Sequence, residues 1–184
     1  MTIMIASTRF NSYTWNENIN YRNKIRHNGC IYGCPQKISY KIPEESLLYI
    51  FEMNNSLNRI EGVGLIKNKL YYDNYYKIYS DGNYNRFIYK SNYRIDRNHL
   101  ETNYPDILTL FETILFKGKT HLKRGFGITQ VPEKLIDKYY SIIDRDRENI
   151  LDTNTDDIEK KCNIKKIDII RKKLNHIFEK YNNK

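Results

Sequence analysis

Two short runs of strand formers constrain this chain more than any other feature. They are Ser46-Leu-Leu-Tyr-Ile-Phe-Glu-Met53 and residues 59–67, which hold Ile60, Val63, Leu65 and Ile66. Asn54-Asn55-Ser56 between them is turn chemistry. Each run is too short for a typical helix, so together they predict a β-hairpin. Gly62 and Gly64 in the second run predict a bulge or a close backbone approach.

Other elements follow from similar signals. Ile3-Met4-Ile5-Ala6, within residues 2–10, fits a short strand. Residues 16–28 carry Ile19 and Ile25 among polar residues and predict a short helix with Gly29 as its C′ glycine. Asp81-Gly82 marks a turn, and Arg86 to Ile95 reads as one or two further strands. Pro105 and Pro132 each open a helix. The first places Ile107, Phe111, Ile114 and Leu115 on one face, and the second Leu135, Ile136, Tyr139 and Ile143. Residues 144–163 are polar and predict a mobile connection. A last helix near 164–181 lines up Ile167, Ile170, Leu174, Ile177, Phe178 and Tyr181, with its lysines and arginines mostly elsewhere. Strands in the middle with helices inserted and appended give an α+β fold around a small curved sheet or barrel. At 184 residues the expected division is a domain over 1–131 and a helical extension over 132–184 packed on it.

A mean hydropathy of −0.75 and the lack of any long apolar run exclude a membrane helix. The opening apolar stretch is too short for a signal-peptide core, and three cysteines make an odd count. The expectation is a soluble, unexported chain in a reducing compartment. His27, Cys30 and Cys34 suggest zinc, but a structural zinc site takes four ligands in paired knuckles, so Cys162 or a distant His would have to complete it. Buried free thiols are the expectation, with no metal and no cofactor.

The net charge is +9, with 31 basic and 22 acidic residues. Asn, Ile, Lys and Tyr together make up 85 of the 184 residues, and all have AT-rich codons, so clustering carries more weight than totals. The surplus is clustered. Residues 1–43 hold six basic residues against one acid, and residues 117–132 hold four against none. One-signed clusters are how a polyanion site looks in sequence, although a basic solubility surface looks similar. In the second cluster Lys117, Lys119, His121, Lys123 and Arg124 lie among three glycines and Phe126. Lys, Arg and Thr hydroxyls are phosphate contacts, and Phe126 could stack on an unpaired base. The competing reading is a solvated loop. In the first cluster Tyr13, Trp15, Tyr21 and Tyr32 lie near Arg9, Arg22, Lys24 and Arg26. Trp15 is the single tryptophan, and it fits either a core position or a base-stacking pocket with Tyr13 or Tyr32.

Catalytic motifs are missing: there is no GxSxG, Walker loop, HExxH or GxGxxG. A metal-dependent nuclease would need convergent carboxylates, with Asp73, Asp81 and Asp96 as candidates. The run Asp144 to Glu148 alternates acids with arginines and neutralises itself.

Ser12-Tyr13, Glu17-Asn18-Ile19 and Gly29-Cys-Ile-Tyr-Gly-Cys-Pro35, in this order, resemble the front of the YTH and EVE modules of the PUA-like superfamily. The hairpin over 47–66 is similar to theirs. The resemblance covers about residues 8–96. It implies a small β-barrel with flanking helices that binds nucleic acid and reads a modified base in an aromatic cage. Carried over by position, the pocket residues are Ser12, Tyr13, Tyr32 and Asn54, with Tyr32 standing where the family has its cage tryptophan. The AT-type composition resembles that of large DNA viruses of protists, which would place the chain in host cytoplasm, a viral factory or a virion. The function expected is non-catalytic binding of DNA or RNA. Lys117, Lys119, His121, Lys123 and Arg124 would contact phosphate, and Ser12, Tyr13, Trp15, Tyr32 and Asn54 would form a base pocket. The alternative is a structural or protein-interaction protein, as a homodimer, whose last helix binds a partner.

Overall fold

The structure is a computed structural model that describes residues 3–148 and 165–182. The chain divides into two compact units, Met1–Val131 and Pro132–Lys184. The first unit is built on a five-stranded mixed sheet. Its strands are β1 (Met4–Phe10), β3 (Leu47–Asn54), β4 (Arg59–Lys67), β6 (Arg94–Asp96) and β7 (Ile128–Gln130). They run in the order β6-β4-β3-β1-β7, while β2 (Cys30–Cys34) and β5 (Phe87–Ser91) form a separate two-stranded ribbon. β1 and β3 are parallel, and the other pairs are antiparallel. A parallel pair needs a crossover, and α1 (Ser12–Lys24) with β2 supplies it.

The fold is α+β, but the strands do not close into a barrel. The sheet ends in two three-residue strands, β6 and β7, too short to carry a ladder round to each other. The β2–β5 ribbon lies against β4 through side chains instead of joining its ladder. Gly64 makes that approach possible, because a Cβ there would lie 2.7 Å from Cys30 Sγ and closer still to the Tyr32 hydroxyl. Gly62 sits at the predicted bulge: β4 inserts an extra residue between the pairs Phe51–Val63 and Met53–Ile60. Both glycines therefore serve close packing, as their position in the run suggested.

β3 is buried along almost its whole length, and its alternation serves two layers. Leu48 and Ile50 join Ala6, Phe10, Trp15, Cys30, Tyr32 and Tyr89 in the core under α1 and the ribbon. On the opposite face Phe51 stacks on Phe111 of α3 (Pro105–Phe116), ring centroids 3.8 Å apart. α3 opens at Pro105 and buries Ile107, Leu108, Phe111, Ile114 and Leu115, so the 3.6-residue periodicity read correctly.

Three boundaries differ from the expectation. α1 starts at Ser12, because Asn11 caps it reciprocally with Thr14. It also ends before Gly29. Arg26 N–H bonds to Asn23 O, His27 N–H bonds to Arg22 O, and Arg26 takes the left-handed φ of 53°. That is a Schellman close with Arg26 where glycine was expected. Gly29 instead lets the chain pass close to the backbone of Ser91 and Asn92. A seven-residue helix, α2 (Arg97–Asn103), was not foreseen; Asp96 caps it by accepting from His99 N–H.

In the second unit α4 (Glu133–Glu148) and α5 (Lys166–Asn182) are the two helices expected after Pro132 and near the C-terminus. Ile136, Ile167, Ile170, Leu174, Ile177 and Phe178 are buried. Arg171 bridges Glu133 at 2.7 Å and Asp168 at 2.9 Å, and Asp137 accepts from Ile167 N–H. α4 runs on to Glu148, into the segment expected to be a connection, and residues 149–164 lie outside the described residues.

The Gly64 contact makes a direct prediction. Gly64→Ala should lower unfolding free energy by about 1–3 kcal/mol, the usual range for overpacking. Tyr32→Phe, which removes the obstructing oxygen, should cost about 1 kcal/mol alone and less in the Gly64→Ala background. Urea unfolding of the four proteins checks this, and strictly additive effects would refute the contact.

Candidate nucleic-acid interface

The acid-free interval becomes one shaped loop between α3 and β7. It turns back at Gly118 (φ 72°), and Leu122 N–H bonds to Leu115 O, which ties the loop to the end of α3. Its far side is gripped through the backbone. The Lys123 carbonyl accepts from Arg9 Nη1 at 3.3 Å and from Asn55 Nδ2 at 2.9 Å, and the Phe126 carbonyl accepts from Gln36 Nε2 at 3.1 Å. Holding a loop by its carbonyls leaves its cations uncommitted. Lys117, Lys119 and Arg124 are exposed and Lys123 is half-buried, and none of the four forms an ion pair among the described residues. Lys123 Nζ lies 5.9 Å from the Phe116 ring centroid. His121 is half-buried, with Nδ1 at 3.4 Å from Lys123 N.

Beside this loop lies a cavity of about 180 Å³, with Thr8, Arg9, Asn55, Tyr84 and Phe126 among its lining residues and the start of α1 at its edge. One polar group there lacks a protein partner among the described residues: Asn55 Oδ1 is buried without a donor. Unsatisfied buried acceptors are uncommon and call for an explanation. Phe126 is 47% exposed on the wall. The cavity and the cations thus share one loop. The sequence marks none of these residues as pocket-lining: Phe126 reads as a stacking residue of the basic loop, and Thr8, Asn55 and Tyr84 carry no signal of their own.

The aromatic residues expected to form a pocket divide between core and surface: Trp15 and Tyr32 lie in one buried cluster, and Tyr13 lies outside it. Tyr13 is exposed on α1, its hydroxyl 3.2 Å from Ser80 Oγ. Trp15 is buried edge-on against Phe10, centroids 5.1 Å apart, with the guanidinium carbons of Arg22 and Arg94 each 5.6 Å from its ring. Tyr32 is buried and donates to Glu52 Oε1 at 2.9 Å. Ser12 N–H bonds to Ser56 Oγ. Asn54 is buried; its Nδ2 donates to Glu61, and its Oδ1 accepts from Ser56 and Leu57 N–H, which fixes the hairpin turn. Trp15, Tyr32 and Asn54 are therefore packing and turn residues, and Tyr13 stands apart from them.

Tyr32 instead belongs to a buried polar network. Glu52 accepts from Arg94 through Nε at 3.1 Å and Nη2 at 2.8 Å. Arg22 has no carboxylate within reach; its Nε donates to Asn18 Oδ1 at 3.0 Å, while Asn18 Nδ2 donates to Ile31 O and the Tyr79 hydroxyl. Burial lowers the Arg22 pKa, and the Arg94 charge adds to that. Burial alone would lower Arg94 too, but the Glu52 carboxylate outweighs it and holds that guanidinium above its ordinary value.

Cys30 and Cys34 are buried free thiols in β2, and His27 Nε2 faces the carbonyls of Cys30 and Ser91, 3.2 and 3.1 Å away. Cys162 lies outside the described residues. Asp73 pairs with Lys90, Asp81 accepts from Asn83 N–H and Asp96 caps α2, so the three aspartates serve separate local tasks. Among the described residues no cluster of three His, Cys, Asp or Glu could hold a metal ion, and no helix is long and apolar enough to cross a membrane.

The buried thiols and phenols set an alkaline limit. Burial pushes Cys30 and Cys34 up to about 12 and also raises Tyr32 and Tyr79. These groups are held neutral in the fold, while the unfolded chain ionises them from about pH 8.5 to 10. Their contribution is complete below that range and is lost as pH rises towards 12, each group removing about 1.4 kcal/mol per pH unit. The urea midpoint should fall steadily between about pH 8.5 and 10.5. A flat profile would contradict the burial of these groups.

Compared with family models, with curated proteins and with solved structures, the chain matches none.

Proposed function

We propose that this chain is a non-catalytic nucleic-acid-binding protein whose loop from Lys117 to Gly127 contacts phosphate and whose adjoining cavity receives an unpaired base. One observation carries the reading. Four cations without acidic partners sit on a loop whose backbone is fixed from outside, next to a half-exposed aromatic ring. Phosphate recognition needs mobile cations on a fixed frame, because the electrostatic part of binding comes from counterion release. The cavity, about 180 Å³ and lined by Thr8, Asn55, Tyr84 and Phe126, suits a planar ring with hydrogen-bonding edges. In this reading Phe126 and Tyr84 take the stacking role that sequence gave to Tyr13, Trp15 and Tyr32.

A PUA-like relationship is part of the same proposal. What supports it is the order of segments: a helix opening at Ser12 and carrying Glu17-Asn18-Ile19, then β2, then the β3–β4 hairpin. The resemblance would place a base near the start of α1, and the cavity opens there.

Fluorescence anisotropy with labelled single- and double-stranded DNA and RNA at two salt concentrations tests the reading. The variant is Lys119→Ala/Lys123→Ala/Arg124→Ala. Wild type should bind at least one probe, with affinity falling steeply as salt rises. The triple variant should bind more weakly, its log–log salt slope shallower by about two to three. Phe126→Ala should weaken single-strand binding and leave the slope unchanged, since stacking releases no counterions. Lack of binding to all four probes at low salt would overturn the proposal.

A further inference from the structure

The first unit exposes large aromatic rings to an unusual degree. Tyr40 is 92% exposed, Tyr75 87% and Tyr72 72%. Tyr40 and Tyr72 come from separate segments, yet both line a single open groove of about 710 Å³ together with Lys37 and Lys69. A short stretch of chain links the groove to the residue that holds the basic loop. Gln36, which holds the Phe126 carbonyl, precedes Lys37, and Lys37 Nζ and Arg86 Cζ lie 5.9 and 5.5 Å from the Phe87 ring centroid. Gln36 and Tyr40 are four residues apart, a span of at most about 14 Å. Lys37, next in the chain to the loop's hold at Gln36, and Tyr40, Lys69 and Tyr72 of the groove thus define one path. Two acids border the groove, Glu44 and Glu45, and Glu45 is bonded to Lys67. The lining thus sets Lys37 and Lys69 against Glu44 and Glu45, and with Glu45 taken up by Lys67 the two lysines beside the rings face one acid unpaired among the described residues.

We infer that this path is a track for a single-stranded polynucleotide, which leaves the Lys117–Gly127 loop and stacks its bases on Tyr40 and Tyr72. The inference rests on the nucleic-acid reading above and narrows it to strands with unpaired bases. A duplex keeps its base faces covered and gains nothing from exposed tyrosines. A single strand gains a stack at each ring, while lysines beside the rings neutralise its backbone. An apolar peptide would leave Lys37 and Lys69 without partners, and an acidic one would leave the tyrosine faces bare.

The test measures binding of a labelled single strand of about 12 nucleotides, as oligothymidylate and as oligouridylate, a length within the ~4–16 nucleotides that small stacking domains cover. Tyr40→Ala/Tyr72→Ala changes only exposed side chains, so a folded protein is expected, and the urea midpoint checks it. The double variant should bind about thirtyfold or more weakly, with the salt slope of wild type, since two base stacks are lost and no phosphate contact is. Tyr40→Phe/Tyr72→Phe should restore wild-type affinity. Lys37→Ala/Lys69→Ala should reduce the slope by about two. Unchanged single-strand affinity in the alanine variant, or failure of phenylalanine to rescue it, would overturn the track while leaving the loop proposal standing. Wild type that binds no probe would overturn both.

Discussion

A carboxylate in the middle of the most buried strand dictates much of the first unit. Glu52 stands on the face of β3 that carries Leu48 and Ile50, only 1% exposed, and water cannot satisfy it there. An unpaired charge in such a place would be strongly destabilising, so several elements converge on it. Arg94 reaches it from β6 and Tyr32 from β2. The Gly62 bulge leaves room, since a Cβ there would lie 2.7 Å from Glu52 Oε2. Trp15 closes the site with the Arg94 and Arg22 guanidiniums near its ring. Five chain segments are thereby placed by one ion pair. Removing either partner alone from a buried pair typically costs about 3–5 kcal/mol, because the other charge is left buried without a partner.

That network also explains what could and could not be read from the chain. Hairpin and late helices were legible because apolar periodicity drives their burial: Ile107, Phe111 and Ile114 in α3, and Ile170, Leu174 and Ile177 in α5. α1 was legible only in its middle. Its buried residues are Trp15, Asn18 and Arg22, two of them polar, so hydrophobic spacing does not reveal its inner face. α2 buries a single side chain, Leu100, and one apolar residue makes no period. The aromatic residues were grouped by nearness in sequence, whereas strand alternation sends Tyr32 inward to a carboxylate twenty positions away. Glu52 within a run of seven otherwise apolar or small residues was the available signal, since a buried acid predicts a buried base.

The loop was legible in a different way. Its charge follows from composition alone, since four cations without an acid across the interval cannot neutralise one another. Its shape does not. Arg9, Gln36 and Asn55 hold two loop carbonyls, and nothing in the sequence of the loop names those partners. The division of labour is physically sensible. Neutral amides and one arginine fix the frame, so the lysines keep their conformational freedom. A rigid frame lowers the ordering entropy that binding would otherwise oppose.

The edge strand β7 carries a consequence for how the protein matures. β1 sits between β3 and β7, so its inner side can zip to β3 once residue 54 exists, while its outer side waits for residues 128–130. The contact from Arg9 to Lys123 spans 114 positions, among the longest loop closures in the unit, and only three residue pairs hold β7 in place. Closure of that edge sets the loop. The loop proposed to bind is thus tied to an edge held by three residue pairs, and under that proposal binding would report on whether this edge is closed.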